Sequence, residues 1–243
     1  MARAPQGTVL SSILPAQVVC AEEFSAGPSD SAEAVVLSGL FDGERSAIAG
    51  AVPRRQAQFA AGRRCARAAL GELGREPSAI LPGARREPVW PDGVVGSITH
   101  CAGYCAAAVA SQRTVWSLGI DAEAHEPLPE GVLEVVSDRD ERALLRQLAR
   151  THPAVHWCRV LFSAKESIYK AVFPITRRWL GFDDATLTWD IFGGSFRARL
   201  NPDAAHGLAP GSAGPPVVTG RFAVHGELIM TAVVLAPPGR PTG

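Results

Sequence analysis

Apolar residues recur at helical spacing through one long segment of the N-terminal half, and this pattern predicts a helix over Pro53–Leu73. A proline opens the segment and Gly74 lies just past its end, as at many helix termini. Residues at this spacing share one face of a helix, which we expect to lie against the core. The apolar positions are Phe59, Ala66, Leu70 and Leu73.

Short apolar and β-branched runs, separated by turns that contain glycine, predict strands and hairpins in both halves. Each predicted hairpin combines two such runs with a turn of small or polar residues between them. The predicted elements are a hairpin of Val94–His100 and Cys105–Ala110, a strand at Val115–Ile120, a hairpin at Leu187–Leu200 around Gly193-Gly194, and a hairpin at Val217–Leu235 that turns near His225-Gly226.

Two further helices are predicted in the C-terminal half. One begins at Ser137, because acidic residues fill the following turn, where negative charge suits the helix dipole. The other covers about Ala154–Phe173 and stops at Pro174. A stretch rich in proline, glycine and alanine, Asn201–Pro216, predicts a surface loop.

The N-terminal stretch Val9–Cys20 is mildly apolar, but Pro15 and Gln17 interrupt it. We interpret it as a strand of the mature fold and not as a signal peptide. Since no apolar run approaches the roughly 18–20 residues of a membrane span, we expect no membrane segment.

The order of elements predicts an α+β protein built from two similar halves, residues 1–117 and 118–243. Each half has a long helix and ends in a hairpin of small and β-branched residues. The similarity of Val94–Ala110 to Gly220–Ala236 suggests an internal duplication. A site would then form naturally where the two halves meet.

Charge and cysteine content narrow the function classes. With 24 basic and 24 acidic residues the net charge is +0, which argues against a nonspecific nucleic-acid binder. Arginines are concentrated between Arg54 and Arg86, which predicts a local basic surface. The five cysteines form no CxxC pair, so reduced thiols in the cytoplasm are the simplest interpretation. A metal site at His100, Cys101 and Cys105 lacks a fourth ligand and the usual spacing.

Two carboxylates in Leu118-Gly-Ile-Asp-Ala-Glu123 are the first candidates for chemistry. Asp121 and Glu123 are two residues apart at the end of a predicted strand, so their side chains point to the same face. The alternative is a pair of solvated carboxylates. Apolar residues precede them, however, which places them close to buried structure.

A third carboxylate, Glu166, lies in Leu161-Phe-Ser-Ala-Lys-Glu-Ser-Ile-Tyr-Lys170 between Lys165 and Lys170. Three carboxylates and two lysines, with a cation that prefers oxygen ligands, would suit transfer of a phosphate-linked group. Two alternatives stay open. Ser163 and Glu166 have the spacing of a capping box, and Glu166 and Lys170 that of a surface ion pair.

Two further segments have the composition of a phosphate site. Gly96-Ser-Ile-Thr-His100 offers backbone, hydroxyl and imidazole donors at the end of a strand. Arg55 and Arg63 share a broad polar face of the predicted helix and are able to grip a phosphate. The alternatives are a histidine that caps a turn and an ordinary solvated helix face.

Together these segments resemble the Sfp/EntD-type 4′-phosphopantetheinyl transferases, and particularly their actinobacterial members. The resemblance runs over nearly the whole chain, and four motifs occur in the family's order. They are Arg55…Phe59-x-x-Gly-Arg63, Gly96-Ser-Ile-Thr-His-Cys101, Gly119-Ile-Asp-Ala-Glu123 and Phe162-Ser-Ala-Lys-Glu-Ser167, with Pro88-Val-Trp-Pro91 and Trp179-Leu-Gly-Phe182 as further landmarks.

The resemblance implies two α+β halves about a pseudo-twofold axis, with coenzyme A in the cleft between them. It implies Mg²⁺ held by Asp121, Glu123 and Glu166 together with the pyrophosphate. The coenzyme A contacts it implies are Arg55 and Arg63 at the 3′-phosphate end, Thr99 and His100 at a phosphate, and Lys165 and Lys170 at the pyrophosphate. The basic residue that relatives carry before Trp90 is harder to place: Pro82 stands in its position, and Arg85 or Arg86 is the alternative.

The activity implied is transfer of the 4′-phosphopantetheine arm to a serine of an apo acyl or peptidyl carrier protein, with release of 3′,5′-ADP. Glu166 and Lys170 would be the catalytic residues, with Glu166 taking the serine proton directly or through a water. Thr99 replaces the serine of many relatives, and Glu123 replaces a glutamine that some carry. Two halves in one chain suggest that a monomer suffices. The cysteine content favours the cytoplasm, and the net charge and the short apolar runs predict neither a nucleic-acid partner nor a membrane.

Three other functions are consistent with parts of the pattern. The chain would be an inactive relative that only binds coenzyme A or a carrier, a pyrophosphatase that cleaves coenzyme A with water, or a structural α+β protein. A gain in the mass of a carrier protein would indicate transfer and would exclude these three alternatives. The pathway served is open among fatty acid, polyketide, nonribosomal peptide and siderophore assembly.

Overall fold

The computed structural model describes residues 9–24, 37–101, 103–208 and 215–238. The chain divides into two compact units, an N-terminal unit, Met1–Val115, and a C-terminal unit, Trp116–Gly243. Each unit contains an antiparallel sheet and a 20-residue helix that packs on it, which confirms the α+β class. The functional division at residue 117 and the pseudo-twofold relationship stay predictions.

The sheet of the N-terminal unit has three antiparallel strands in the order β1-β3-β2, and the long helix α2 packs on it. Small buried side chains of α2, such as Ala66 and Ala69, bring the helix close to the sheet residues Ala107 and Val109. The elements are a 3₁₀ helix at Leu10–Ile13, β1 at Val19–Phe24, α1 at Asp42–Ile48, α2 at Pro53–Glu72, β2 at Val94–Cys101 and β3 at Tyr104–Ser111.

The predicted strand at Val9–Cys20 is wrong over most of its length, because a 3₁₀ helix occupies Leu10–Ile13 and the strand begins only at Val19. Leu10 and Ile13, three residues apart, are both buried on one side of the short helix. The Glu22 carboxylate accepts hydrogen bonds from the backbone N–H groups of Val9 and Leu10, which satisfies donors at the start of this helix.

The predicted basic surface is also smaller than the sequence suggests, because acidic partners neutralise part of it. Arg64 donates two hydrogen bonds to Glu23. Arg67 donates to both carboxylate oxygens of the fully buried Glu44, which also accepts from the Ile80 backbone. The exposed arginines of this region are Arg54, Arg64, Arg75, Arg85 and Arg86.

The sheet of the C-terminal unit has five antiparallel strands in the order β4-β8-β7-β6-β5. Helix α5 packs mainly on β4 and β8, and the core includes Trp157, Ile168, Phe196 and Ile229. The elements are β4 at Ser117–Ala124, α3 at Val132–Val136, α4 at Arg139–Thr151, α5 at Trp157–Thr176, a 3₁₀ helix at Phe182–Asp184, β5 at Ala185–Asp190, β6 at Ser195–Leu200, β7 at Val217–His225 and β8 at Leu228–Leu235.

Two predicted helix ends in this unit need correction. Helix α4 begins one residue beyond its cap Asp138, which exchanges hydrogen bonds with Glu141 in a capping box, so Ser137 lies outside it. Helix α5 does not stop at Pro174 but continues to Thr176. A proline removes one backbone hydrogen bond, yet the next turn still closes, since Arg177 N–H donates to the Phe173 carbonyl.

The hairpins β2–β3, β5–β6 and β7–β8 confirm the predicted strand pairs. Residues 209–214 of the predicted loop Asn201–Pro216 lie outside the described residues. Within the described ranges, none of the helices combines the length and apolar composition that crossing a membrane requires.

Candidate active site

Gly119 is the point at which the backbone of strand β4 lies against the backbone of helix α5. A Cβ atom at this position would lie 2.0 Å from the Ser167 carbonyl oxygen and 2.6 Å from the Ala171 nitrogen. Both are backbone atoms, so any larger residue would push the helix away from the strand. Glycine therefore sets the distance between α5 and the carboxylates that follow on β4.

Asp121 and Lys170 join the strand to the helix. Lys170 Nζ donates to Asp121 Oδ1 at 2.7 Å and to the Ile120 carbonyl at 3.2 Å. Asp121 is buried, whereas the Lys170 side chain is 26% exposed. The ammonium group therefore lies where the interior meets solvent, with a hydrogen bond to a carboxylate that solvent hardly reaches.

Glu123 lies two residues further along β4, on the face of Asp121, and pairs with Arg159 of α5. Arg159 Nη1 donates to Glu123 Oε2 at 3.0 Å. Burial and then the charge of Asp121 raise the pKa of Glu123 to about 7, against the opposing charges of Arg159 and Lys170. The predicted shared face of the two carboxylates is consistent with the register, which pairs Asp121 with Thr231 and Glu123 with Ile229.

Glu166 lies one helical turn before Lys170 and is partly buried. Burial raises the pKa of Glu166, the charge of Lys170 lowers it and that of Asp121 raises it. The capping-box alternative is wrong, because Ser163 lies inside α5 and its hydroxyl is 3.0 Å from that of Thr231 on β8. The Glu166 carboxylate is therefore within the electrostatic reach of Asp121 and Lys170.

Lys165 points into the interior of the C-terminal unit. Its Nζ atom donates to Glu141 Oε2 and to the Phe182 carbonyl, each at 2.7 Å, and both ionic side chains are 3% exposed. Glu141 also accepts from the backbone N–H groups of Leu187 and Asp138. A phosphate would have to displace Glu141 to reach this ammonium group, so the structure does not bring Lys165 together with Lys170.

The side chains of Asp121, Glu123 and Glu166 are the donor set for the implied Mg²⁺. Carboxylate oxygens are the ligands this hard cation prefers. The charge of Asp121 raises the pKa of both glutamates, and a divalent cation would relieve that repulsion. Within the described ranges, no group of three or more His, Cys, Asp or Glu side chains is arranged to hold a metal ion as it stands. The three carboxylates thus have the chemistry that Mg²⁺ requires. In this structure Asp121 is paired with Lys170, and Glu123 with Arg159.

In the N-terminal unit the structure brings Arg55 and His100 together. Arg55 Nη1 lies 2.7 Å from His100 Nε2, and since a guanidinium only donates, this ring nitrogen accepts. Thr99 precedes His100 on β2, so its side chain points to the opposite face of the sheet, where it is buried. The two residues therefore do not present their side chains to one point.

The side chain of Arg63 is buried, and Arg63 lies close enough to Arg55 for the charge of Arg55 to lower its pKa. Burial first, and then the charges of Arg67 and Arg55, lower the pKa of Arg63 to about 10, opposed by Glu44. Its Nε atom donates to the Ile80 carbonyl, and its guanidinium lies 3.9 Å from the centre of the Phe59 ring. Arg55 is thus the half-buried cation beside His100, whereas the buried Arg63 lies 4.0 Å from Glu44 Oε1, which opposes its charge.

Two residues of the C-terminal site were missed by the sequence interpretation. Arg159 holds Glu123, and Glu141 holds Lys165, although neither lies in a motif. The separations are 36 and 24 residues, so each pairing depends on the packing of distant elements. The only local signal was the acidic first turn of α4, which contains Glu141.

Comparison with known families separates the chain into two matched regions. The family model described as "4'-phosphopantetheinyl transferase N-terminal domain" matches residues 43–110. The model described as "4'-phosphopantetheinyl transferase superfamily" matches residues 117–208 and includes Asp121, Glu123, Glu166 and Lys170.

Similar proteins carry names of the same kind. The chain is 46% identical to the 4'-phosphopantetheinyl transferase Svp of Streptomyces mobaraensis, over 95% of this chain and 90% of that protein. It is 45% identical to the 4'-phosphopantetheinyl transferase PptT of Mycobacterium tuberculosis, over 94% and 99%. It is 46% identical to the 4'-phosphopantetheinyl transferase Npt of Nocardia iowensis, over 79% and 88%.

Proposed function

Because the chain belongs to the 4′-phosphopantetheinyl transferase superfamily, we propose that it transfers the 4′-phosphopantetheine arm of coenzyme A to a serine of an apo acyl or peptidyl carrier protein. The second product is 3′,5′-ADP. The observation that carries the proposal is the 2.7 Å contact between Lys170 Nζ and Asp121 Oδ1, beside Glu166 and on the strand face of Glu123. Basic and acidic groups of this kind at one place suit phosphate-linked chemistry.

Binding of coenzyme A is assigned to residues of both units. The half-buried Arg55 beside His100 would accept a phosphate group, since a guanidinium is able to grip phosphate through two hydrogen bonds, and the buried Arg63 would add positive charge. The assignment of Thr99 to the phosphate site rests on the family resemblance alone, because its side chain points to the face of the sheet opposite that of His100. Among the lysines we propose Lys170, and not Lys165, as the pyrophosphate contact, because Glu141 already holds Lys165.

Asp121, Glu123 and Glu166 would hold Mg²⁺, which would supply positive charge to stabilise the pyrophosphate as it is cleaved. Asp121 also orients Lys170, whose ammonium group adds a second positive charge at the same place. Since the side chain of Lys170 is 26% exposed, a substrate phosphate is able to reach it without unfolding the unit.

Proton transfer in this reaction is assigned to Glu166. The serine oxygen forms a bond to the β-phosphorus of coenzyme A, and the bond between that phosphorus and the bridging oxygen of 3′,5′-ADP breaks. The serine proton passes to Glu166, directly or through a water. Burial raises the pKa of Glu166, which makes its carboxylate a stronger proton acceptor than an exposed glutamate.

Further features of the proposal rest on the family resemblance. The two halves would be related by a pseudo-twofold axis, and coenzyme A would lie in the cleft between them. One chain would act as a monomer in the cytoplasm, with no need for a membrane or for nucleic acid.

The experiment that tests this function is intact-protein mass spectrometry of an apo carrier protein incubated with the chain, coenzyme A and Mg²⁺. The expected result is a gain of one phosphopantetheine arm on the carrier, which EDTA abolishes. A matched reaction with a carrier whose acceptor serine is replaced by alanine should show no gain.

Two outcomes would contradict the proposal. Release of nucleotide with no change in carrier mass would indicate hydrolysis of coenzyme A. Binding of coenzyme A with neither product, on several apo carriers, would indicate a protein that only binds.

A further inference from the structure

We infer that Arg159 is a positioning residue, which fixes the carboxylate of Glu123 and the segment after strand β4 in the orientation that cation binding requires. The inference deepens the proposed function and rests on it, since Glu123 is one of the three proposed cation ligands. Arg159 itself would touch neither the cation nor coenzyme A.

The guanidinium of Arg159 makes four hydrogen bonds to one short stretch of chain. Nη1 donates to Glu123 Oε2 at 3.0 Å, Nε to the Glu126 carbonyl at 3.2 Å, and Nη2 to the Pro127 carbonyl at 2.7 Å. A longer contact of 3.5 Å joins Nη2 to Glu126 Oε1. A guanidinium has five N–H donors in a rigid plane, so these contacts use most of them and fix the side chain.

A second contact ties the same segment to the start of helix α5. The backbone N–H of His156 donates to His125 Nε2 at 3.3 Å, and the two imidazole rings lie 5.0 Å apart, edge to face. His125 Nδ1 also lies 3.1 Å from the Gly226 carbonyl in the β7–β8 turn. The His125 backbone N–H also donates to the Glu227 carbonyl of that turn at 2.8 Å. The segment after β4 is therefore held at two points by the start of α5 and at two points by the neighbouring hairpin.

The bond to Arg159 also distinguishes the two oxygens of Glu123. Oε2 accepts from Arg159, and within the part of the chain that the structure describes no hydrogen bond reaches Oε1. The side chain is 21% exposed, so Oε1 stays accessible while the carboxylate keeps one orientation. A cation would then meet an oriented oxygen and not a freely rotating side chain.

Among the described residues, Arg159 donates only to the segment that carries Glu123. Its side chain is 10% exposed, and its acceptors all lie in residues 123–127. A glutamate beside Asp121 would otherwise turn toward solvent, since two nearby carboxylates repel each other. Partners that orient metal ligands usually matter, and their loss typically weakens metal affinity by about 10–100-fold.

The test is Mn²⁺ binding to the purified chain, measured by the loss of the free-ion electron paramagnetic resonance signal, in the absence of coenzyme A and carrier. Arg159→Lys keeps the positive charge but lacks the planar fork, so we expect about tenfold weaker Mn²⁺ binding. Arg142→Lys is the matched control, because Arg142 is also a helix arginine that donates to a backbone carbonyl, that of Ser137. We expect it to bind Mn²⁺ like the wild type.

Arg159→Gln is the second variant and separates position from charge. Removal of a nearby positive charge should by itself strengthen cation binding. Weaker binding in this variant would therefore come from lost orientation. Circular dichroism of each variant in EDTA confirms that the unit is folded before binding is measured.

A double variant then tests whether the effect passes through Glu123. In the Glu123→Gln background, Arg159→Lys should change Mn²⁺ affinity less than twofold, because the oriented carboxylate is already gone. An equal tenfold loss in both backgrounds would show a general structural effect and would overturn the inference.

The remaining outcomes separate this inference from the proposed function. If the wild type binds Mn²⁺ and Arg159→Lys binds it equally well, Arg159 does not position a ligand, and the transferase proposal stands. If the wild type binds no Mn²⁺ but still converts the carrier in EDTA, the cation assignment is wrong and the role of Arg159 falls with it.

Discussion

Lys170 Nζ on helix α5 lies 2.7 Å from Asp121 Oδ1 on strand β4, and the two groups meet because Gly119 allows the helix to touch the strand. Gly119 and Asp121 are two residues apart on one face of β4. The backbone contact at Gly119 and the ionic contact between Asp121 and Lys170 therefore lie side by side on this face. A substitution that moves helix α5 at Gly119 should also change the distance between Asp121 and Lys170.

Gly119→Ala should destabilise the C-terminal unit and reduce transferase activity together. Its Cβ atom would lie 2.0 Å from a carbonyl oxygen of α5, so the helix must shift. Overpacking of this kind typically lowers the free energy of unfolding by about 1–3 kcal/mol, and we expect the upper end. Urea denaturation measures the change.

Gly71→Ala provides the matched control for that substitution. Apart from the neighbouring backbone of helix α2 itself, no atom of the described residues lies within 4 Å of the Cβ position at Gly71. Because alanine favours helix, we expect a gain of up to about 1 kcal/mol and unchanged activity. Equal stability of both alanine variants would contradict the close-packing explanation.

Lys165→Met should lower the free energy of unfolding, because it leaves the Glu141 carboxylate buried without its cation. Removal of one partner from a buried ion pair costs about 3–5 kcal/mol of unfolding free energy. The exposed Arg146→Met on α4 should change it by less than about 0.5 kcal/mol. If the Lys165→Met protein has normal stability and a strongly raised KM for coenzyme A, Lys165 contacts the pyrophosphate and the structural role is wrong.

Stability of the metal-free chain should fall as pH rises from about 4.5 to about 7. Burial, and then Asp121, raise the pKa of Glu123 from 4.5 to about 7, so the folded state binds its proton more tightly than the unfolded state. The stabilisation is complete below the unfolded pKa and is lost as pH rises through the folded pKa. The full shift corresponds to roughly 3 kcal/mol as an upper estimate.

Glu123→Gln tests this pH dependence. In EDTA, the decline of unfolding free energy between pH 4.5 and 7 should be clearly smaller in the variant than in the wild type. Part of the decline should remain, because the pKa of Glu166 is also raised. Identical slopes for both proteins, from urea denaturation at several pH values, would mean that Glu123 ionises normally in the folded chain.

Arg55→Met should raise the KM for coenzyme A about tenfold and leave kcat within about twofold, because it removes one charged hydrogen bond to a phosphate distant from the reacting bond. Arg54→Met is the control, since Arg54 is the neighbouring arginine of α2 and is exposed. Equal KM values for the two variants would remove Arg55 from the proposed phosphate site.

The elements most accurately predicted from the sequence are those with clear end signals and apolar positions at regular spacing. Helix α2 lies between a proline and a glycine, and its predicted core residues Phe59, Ala66 and Leu70 are buried. The hairpins have strands on either side of a recognisable turn. The shared direction of Asp121 and Glu123 follows from strand geometry alone. The 3₁₀ helix at Leu10–Ile13 was missed, because four residues are too few to show a period.

Partners that come from distant parts of the chain could not be predicted. Lys165 and Lys170 look equivalent in the sequence, yet packing turns one toward Glu141 in the interior and the other toward Asp121 near solvent. Arg159 lies in no motif, because its contact with Glu123 exists only when α5 packs on β4. Sequence indicates which groups have suitable chemistry, and tertiary packing decides which of them meet.

The most direct single measurement is the ratio of holo carrier protein formed to 3′,5′-ADP released, followed in one reaction by mass spectrometry of the carrier and chromatography of the nucleotide. Transfer predicts a ratio of one with Mg²⁺, and Asp121→Asn should slow both products equally, by about 100-fold or more. Full activity in that variant, or release of nucleotide without an equal gain of holo carrier, would contradict the proposed transferase site.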